Sequence, residues 1–249
     1  MPKINVYLPE ALASAVRAAD VPVSAVCQAA LSDAVERVGR TRKGIAALRD
    51  PATPAAILQR IGEGARKGMT PRLVAALGVA ALDADGHART AVSSLDLLRG
   101  LLDDGENLAV RLLLAQDVDV DALGEATRAS ETAEPGLPVP ESRDTLLGRL
   151  TMPGRLACAA ALEAVVELGH NYVGCEHLLV GLVASEGRAR DLLVEHGIQV
   201  TALRQAISAA AAGVMIERSK SADQNADAVG DLTRRLEAIE RQLAGTSGA

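Results

Sequence analysis

Apolar and polar side chains alternate at the start of the chain. Ile4, Val6 and Leu8 are apolar, and the positions between and before them carry Lys3, Asn5 and Tyr7. A period of two residues predicts a short, half-buried strand over residues 3–8. Two helices should follow, one opened by Pro9 and one over residues 23–38 that ends at Gly39. Because one strand and two helices cannot close a core, we expect the strand to pair with that of a second copy in a homodimer.

The rest of the chain contains a repeat with a period of about 81 residues. Met69-Thr70-Pro71 opens one copy and Leu150-Thr151-Met152-Pro153 opens the other, and each threonine is a suitable helix N-cap. A repeat of this length is one supersecondary unit that buries its open face against its copy. Four helices are predicted in each copy, at 71–85, 94–102, 107–116 and 120–128, and at 153–168, 175–184, 188–196 and 200–212.

A heptad pattern near the end of the chain predicts an amphipathic helix at about 227–244, which docks on the body, adds a dimer contact or frays. The pattern is formed by Val229, Leu232, Leu236, Ile239 and Leu243. The predicted segments are an N-terminal unit at 1–43, a linker with a short helix at 44–68, the first repeat at 69–128, a linker at 129–146, the second repeat at 147–215 and a tail at 216–249.

Aromatic residues are nearly absent: Tyr7 and Tyr172 are the two present, and there is no Phe or Trp. Without large rings to fill the space between sheets, the core must consist of closely packed Ala, Leu and Val helices, which argues against a β-sandwich or barrel. The predicted fold class is mostly α, with a short N-terminal strand in a dimeric unit, an all-α double four-helix repeat and a C-terminal helix.

Charge and cysteine content limit the partners and the compartment. The net charge of −6 gives no overall attraction to DNA, although residues 1–50 carry seven basic and five acidic side chains. Three cysteines in separate segments indicate reduced thiols and predict a cytoplasmic location. The N-terminus has no apolar signal core and no run of 18 apolar residues occurs, so we expect no membrane partner.

The N-terminal pattern, Lys-Ile-Asn-Val-Tyr-Leu-Pro-Glu followed by two helices, resembles the ribbon-helix-helix DNA-binding family over residues 2–39. The resemblance implies a two-stranded ribbon in the major groove of operator DNA, with Lys3, Asn5 and Tyr7 facing the bases. It also implies that the start of the second helix, around Ser24, holds a phosphate with backbone amides. The alternative is a dimerisation unit that does not bind DNA.

The run Gly-His-Asn-Tyr-Val-Gly-Cys-Glu-His-Leu-Leu-Val-Gly-Leu at 169–182 resembles the signature of the Clp chaperone N-terminal domain. The resemblance covers about 69–128 and 147–215 and implies two pseudo-symmetric four-helix repeats that receive substrates and adaptors for an ATP-driven unfoldase. No G-x-x-x-x-G-K-[ST] phosphate loop occurs in the 249 residues, so we expect a receptor without the ATPase modules and without a bound cofactor.

The same resemblance supplies candidate ligand contacts. In some members a glutamate and a threonine of each repeat bind phosphoarginine; the second copy has Glu176 with Cys175, and the first has Leu95 with Ser94. Glu176, Cys175 and Tyr172 are the predicted ligand-binding residues, while the alternative for Glu176 is a charge that favours the helix dipole. The aromatic residue that helps some members bind cyclic peptides is Met69 or Leu150 here, so cyclic peptides would need different contacts.

Cysteines and histidines give no catalytic or metal site in the sequence. Cys175, Glu176 and His177 are consecutive, so on a helix their side chains diverge by about 100° each and cannot form a nucleophile–base pair. His170 and His177 lack a third ligand at a convincing spacing, and His170 is predicted to satisfy loop backbone groups. We therefore expect a protein that is not an enzyme and holds no metal.

Two functions follow as hypotheses. The first is a transcriptional regulator that binds operator DNA through its N-terminal dimer and senses a peptide, protein or small molecule with its Clp-like body. The second is an adaptor, decoy or anti-adaptor of the Clp protease system, whose partners would be Clp substrates, adaptors or cyclic peptides and whose N-terminal unit only dimerises it.

Overall fold

The computed structural model describes residues 4–130 and 146–210, and this part of the chain is mostly α-helical. The predictions for Lys3, for residues 131–145 and for the helix at 227–244 lie outside the described residues. The helices are α1 (Glu10–Ala18), α2 (Val23–Arg49), α3 (Ala55–Arg66), α4 (Pro71–Gly86), α5 (Ser94–Asp103), α6 (Leu108–Leu114), α7 (Val120–Ala129), α8 (Leu146–Arg149), α9 (Met152–Glu167), α10 (Cys175–Ala184) and α11 (Arg188–Glu195), and residues 200–210 are also helical.

The two predicted repeats are visible as matching helix sets, α4–α7 and α9–α11 with the helix at 200–210. Thr70 and Thr151 cap α4 and α9, because each side-chain oxygen accepts a hydrogen bond from a backbone N–H three residues later, at 3.3 Å. The repeats also join through two short parallel backbone pairings, Met69 with Val173 and Val92 with Leu150. The start of each repeat is thus held by a loop of the other.

Within each repeat, the first two helices pack at close range through a glycine. A Cβ placed on Gly100 of α5 would overlap the carbonyl oxygen of Ala76 in α4, and a Cβ on Gly181 of α10 would overlap that of Ala157 in α9. The largest fully buried side chains are all leucines, packed among buried alanines and valines. This composition confirms the Ala, Leu and Val core predicted from the near absence of aromatic residues.

Helix α2 is longer than the sequence pattern predicted, because it passes through Gly39 without a break and ends at Arg49. Its last turns are buried against α9 at Gly44 and Leu48. Arg155 of α9 donates hydrogen bonds to the Ala47 and Asp50 carbonyl oxygens, at 3.0 and 2.9 Å. The part of the segment predicted as a linker that begins at Gly44 therefore packs on the body and continues the helix above it.

The N-terminal residues lie apart from this core. Residues 4–9 form no strand within the single described chain, so the predicted strand is not confirmed, and a ribbon made with a second copy stays a prediction. Helix α1 has no buried residue. The apolar side chains of Ile4, Val6 and Val35 are 79%, 63% and 72% exposed, which leaves an uncovered apolar surface on this unit.

Across residues 4–130 and 146–210, every helix is too short or too polar to cross a bilayer.

Candidate binding site at the start of helix α10

The candidate site surrounds the first turn of α10, where a carboxylate is buried. Glu176 is only 3% exposed, and its Oε1 atom lies 3.2 Å from Nδ1 of His177 but accepts no hydrogen bond. The side chain folds back over Gly174, since a Cβ at that position would meet the carboxylate. Gly174 is therefore required by space, and its own φ of −116° is one that any residue adopts. A buried carboxylate with one free oxygen is a costly feature unless a donor reaches it.

Two histidines form a hydrogen-bonded pair beside this carboxylate. The Gly174 backbone N–H donates to Nδ1 of His177 at 2.9 Å. Because a backbone N–H can only donate, the proton of the neutral ring must sit on Nε2, which lies 2.8 Å from Nδ1 of His170 and donates to it. Burial lowers the pKa of His177 to about 4, so the ring is neutral at pH 7. The sequence predicted that His170 would bond backbone groups of its loop, but the hydrogen-bond partner of its ring is His177.

Tyr172 is the exposed member of the site. Its ring stacks on His170 with centroids 5.2 Å apart and 11° between planes, and it meets His177 edge-on at 5.5 Å. Its hydroxyl is near enough to the Glu176 carboxylate to oppose the rise in the pKa of that group. Burial raises the pKa of Glu176, while its own backbone N–H and the Tyr172 hydroxyl act in the opposite direction. The tyrosine is 37% exposed, so a ligand would reach the buried carboxylate by displacing this side chain.

Three side chains of the site could be considered as metal ligands. His170, Glu176 and His177 place one ligand atom each within 4.8 Å of one another. However, the Nδ1 lone pair of His177 already accepts a hydrogen bond from the Gly174 backbone N–H. Its Nε2 atom carries a proton and donates a hydrogen bond to His170. Since a histidine must offer a free lone pair to a metal, this donor set suits a hydrogen-bonded pair better than a metal centre.

The first repeat has a different arrangement at the equivalent positions. Arg89 and Asp96 stand where the second repeat has His170 and His177, and Leu95 stands where it has Glu176. Arg89 donates to both carboxylate oxygens of Asp96, at 2.6 and 2.8 Å. Although burial raises the pKa of Asp96, the hydrogen bonds from Arg89 and Ser93 hold it below its usual value. The two repeats share a geometry, and among the carboxylates at these equivalent positions only Glu176 has a buried oxygen without a hydrogen-bond donor.

The other predicted site residues occupy separate places. Cys175 is buried, and burial, together with the Glu176 charge, raises the pKa of its thiol to about 12, so it contributes packing rather than a reactive group. Asn5 and Tyr7 lie in the exposed segment before α1, and Ser24 is exposed in the first turn of α2. Whether these three residues contact DNA stays a prediction.

A known protein family matches the part of the chain that contains this site. Residues 149–242 match the family model of the Clp repeat (R) N-terminal domain. The match begins just before α9 and includes the whole candidate site. The Clp-type assignment made from the run at 169–182 is thereby confirmed for the second repeat.

Relatives from several organisms match part of the chain. Uncharacterized proteins of Mycobacterium bovis (Mb2686) and Mycobacterium tuberculosis (Rv2667) are 35% identical over 118 residues, 47% of this chain. The chain covers 43% of the length of these two relatives. The chloroplastic chaperone protein ClpC3 of Oryza sativa is 27% identical over 153 residues, which cover 57% of this chain and 16% of ClpC3.

Two solved structures match part of the chain. The N-terminal domain of the chaperone ClpD from Arabidopsis thaliana matches with a TM-score of 0.43 and 21% identity, over 56% of this chain and 92% of that domain. A chain from a malarial protein secretion system matches with a TM-score of 0.45 and 19% identity, over 57% of this chain and 92% of the other.

Proposed function

We propose that this chain is a non-enzymatic protein-binding module of the Clp type that takes a cationic side chain of another polypeptide at Glu176. The observation that carries the proposal is the buried Glu176 carboxylate with an unpartnered oxygen, within the residues that match the Clp repeat N-terminal domain. A carboxylate in this state gains most from a charged donor, and a guanidinium fits it with two parallel hydrogen bonds.

The difference between the two repeats sets the number of cationic groups that are bound. Leu95 occupies the equivalent place in the first repeat and has no charge to offer, so one cationic group is bound and not a pair. The resemblance to phosphoarginine-binding domains makes phosphoarginine and arginine the first ligands to compare. In the Clp system such a module would act as an adaptor, or as a decoy that competes for substrates.

Binding is tested with three short peptides of one sequence that carry phosphoarginine, arginine or the neutral analogue citrulline. Calorimetry should detect the first or second and not citrulline. Glu176→Gln should weaken binding about 10- to 100-fold, the usual range for losing a charged hydrogen bond. Glu186→Gln, on an exposed glutamate just after α10, is the matched control and should change affinity less than twofold. Equal binding of all three peptides, or an unaffected Glu176→Gln variant, would overturn the proposal.

A second function, DNA binding by the N-terminal unit, is favoured by the uncovered apolar surface on residues 4–38. Val35 lies with Leu31 along a shallow surface of α2 that a second copy would cover. Pairing of the two N-terminal segments would then present Asn5 and Tyr7 on one side of the dimer. Sedimentation should give a dimer, and the DNA upstream of the gene should bind with a steep salt dependence. A folded monomer, or a dimer that binds no DNA, would remove this candidate.

A further inference from the structure

Positive charge is concentrated in one short part of the chain. Residues 36–67 contain eight basic and three acidic side chains, whereas the whole chain has a net charge of −6. This stretch includes the second half of α2 and all of α3. This charge excess is larger than that of residues 1–50, and it extends into helix α3.

Most of these cations have no acidic partner. Arg40 pairs with Glu36, and Arg49 pairs with Glu163 at 2.8 Å. The other six are exposed and make no ion pair with any described residue, and we call them the basic surface: Arg37, Arg42, Lys43, Arg60, Arg66 and Lys67. Unpaired cations repel each other and are retained at low cost only where water or an anionic partner solvates them.

The fold brings the two ends of this stretch together. Helices α2 and α3 form a hairpin around the turn at residues 50–54, and they touch where Gly44 meets Ile61, 3.6 Å from an ideal Cβ on the glycine. Lys43 and Arg42 lie one and two residues before this contact, and Arg66 lies five residues beyond it. At 1.5 Å per residue, these three charges all lie within about 8 Å of the crossing, measured along the helix axes. Because consecutive side chains of a helix point about 100° apart, the six cations surround the hairpin and do not share one face.

The surroundings favour nucleic acid over protein as the partner. A protein interface of ordinary affinity needs apolar or aromatic anchors at its centre. Ile57 is the one large apolar side chain that is appreciably exposed between residues 36 and 67, a stretch that the structure describes throughout, and it is 38% exposed. Nucleic-acid backbones require no such anchor, because Lys and Arg contacts to phosphates supply the affinity.

We infer that the basic surface on α2 and α3 binds the phosphate backbone of nucleic acid without sequence preference. This contact is separate from both proposed functions: it uses neither Glu176 nor the N-terminal residues Asn5 and Tyr7. The negative charge elsewhere on the chain is screened beyond about 8 Å at physiological salt, so it does not cancel a local contact.

Fluorescence anisotropy of the full chain with labelled 20-base-pair duplexes of unrelated sequence tests the inference. Affinity should be equal among duplexes and fall steeply between 50 and 200 mM salt. The double variant Arg42→Gln/Arg66→Gln should bind several-fold more weakly and reduce the salt slope by about 1.8, from two lost phosphate contacts. The matched control is Arg111→Gln/Arg190→Gln, two exposed arginines on α6 and α11 without an ion pair to described residues, and it should match the wild type.

Three results would overturn the inference. One is absence of duplex binding at 50 mM salt by a protein whose circular dichroism shows it to be folded. Another is equal weakening by the two double variants, which would mean that only total charge matters. The third is competition by polyglutamate as strong as that by duplex, which would assign the surface to an acidic protein. Asn5→Ala/Tyr7→Ala should leave this binding unchanged, so failure of the N-terminal DNA proposal remains distinguishable.

Discussion

The Nε2 atom of His177 lies 2.8 Å from Nδ1 of His170, at the place where the first repeat joins Asp96 to Arg89. In both repeats the residue that precedes the second helix also donates its backbone N–H to one member of the pair. Gly174 donates to His177 at 2.9 Å, and Ser93 donates to Asp96 at 2.7 Å. One repeat thus uses a neutral pair and the other an ion pair to fix the same helix start.

The histidine pair predicts acid-sensitive stability. The pKa of His177 is about 4 in the folded chain and near 6.5 when unfolded, so the unfolded state binds more protons between these values. The contribution of His177 to stability is complete above pH 6.5 and is lost as the pH falls to 4, by roughly 3 kcal/mol. Urea unfolding at several pH values measures it. The pKa of Glu176 is raised, so the contribution of this carboxyl to stability increases as the pH falls. The urea measurements are therefore made on the Glu176→Gln variant, which removes this opposing effect.

Transplanting the ion pair supplies the matched comparison. The double variant His170→Arg/His177→Asp gives the second repeat the pair found in the first. We expect it to fold and to lose less than about 0.5 kcal/mol between pH 6.5 and 4, since an aspartate paired with arginine loses its contribution to stability mainly below pH 4. The single variant His177→Asp should be clearly less stable than the double variant. If the free energy of unfolding depended on pH in the same way for the double variant and the parent, the histidine pair would not be the cause of the acid sensitivity.

The close helix contacts predict a strong effect of a single methyl group. Gly181→Ala places a Cβ against the Ala157 carbonyl oxygen, which is backbone and cannot move aside cheaply, so stability should fall by about 3 kcal/mol or more. Gly78→Ala is the control: Gly78 is inside α4 with nothing within 4 Å, and the change should stabilise the helix by about 0.5–1 kcal/mol. Chemical denaturation gives both values, and a neutral Gly181→Ala would show that the helices are farther apart.

Arg155 should be essential for holding α2 to the body. Its guanidinium is buried, which lowers its pKa, and it bonds the last carbonyl groups of α2. Arg155→Met should cost about 1–3 kcal/mol, because those carbonyls lose their donor. Hydrogen exchange at residues 44–50 should also speed up. Arg49→Gln removes only the exposed pair with Glu163 and should cost less than about 1 kcal/mol; a similar cost for both variants would argue against the capping role.

Thiol reactivity should separate the three cysteines. Burial raises the pKa values of Cys158 and Cys175 to about 12, so both remain protonated at pH 8. In the native protein Ellman's reagent should modify Cys27 first, and in denaturant all three residues should react at one rate. Cys27→Ser should abolish the fast native reaction. Rapid modification of Cys175 in that variant would mean that the start of α10 opens readily.

The sequence predicted the repeat helices well because their signals are local. Thr70 and Thr151 mark helix starts, and apolar spacing sets the helix lengths, so most bounds agree within one or two residues. The helix end predicted at Gly39 was wrong, since a glycine costs a helix only about 1 kcal/mol and burial of Leu48 beyond it outweighs that cost. A pattern along one chain cannot reveal such a gain.

The candidate site was found only in part. Glu176 and Tyr172 were identified through a family resemblance, but the pairing of His170 with His177 was not, because the loop between them must fold back before the rings meet. The Arg89–Asp96 pair was missed for the same reason, as the two residues are also seven apart across a loop. The N-terminal strand depends on a second molecule, which one sequence does not contain.

The unbroken course of α2 makes the separation between its two ends a fixed quantity. Twenty-seven residues of helix form a stiff rod of about 40 Å, embedded in the body at one end by Arg155 and leading into the uncovered N-terminal surface at the other. A partner that binds the outer end of α2 therefore also fixes the orientation of the body. One residue added near Gly39 would swing the body by about 100° around the rod, whereas seven would carry it about 10 Å outward and return it almost to its original heading.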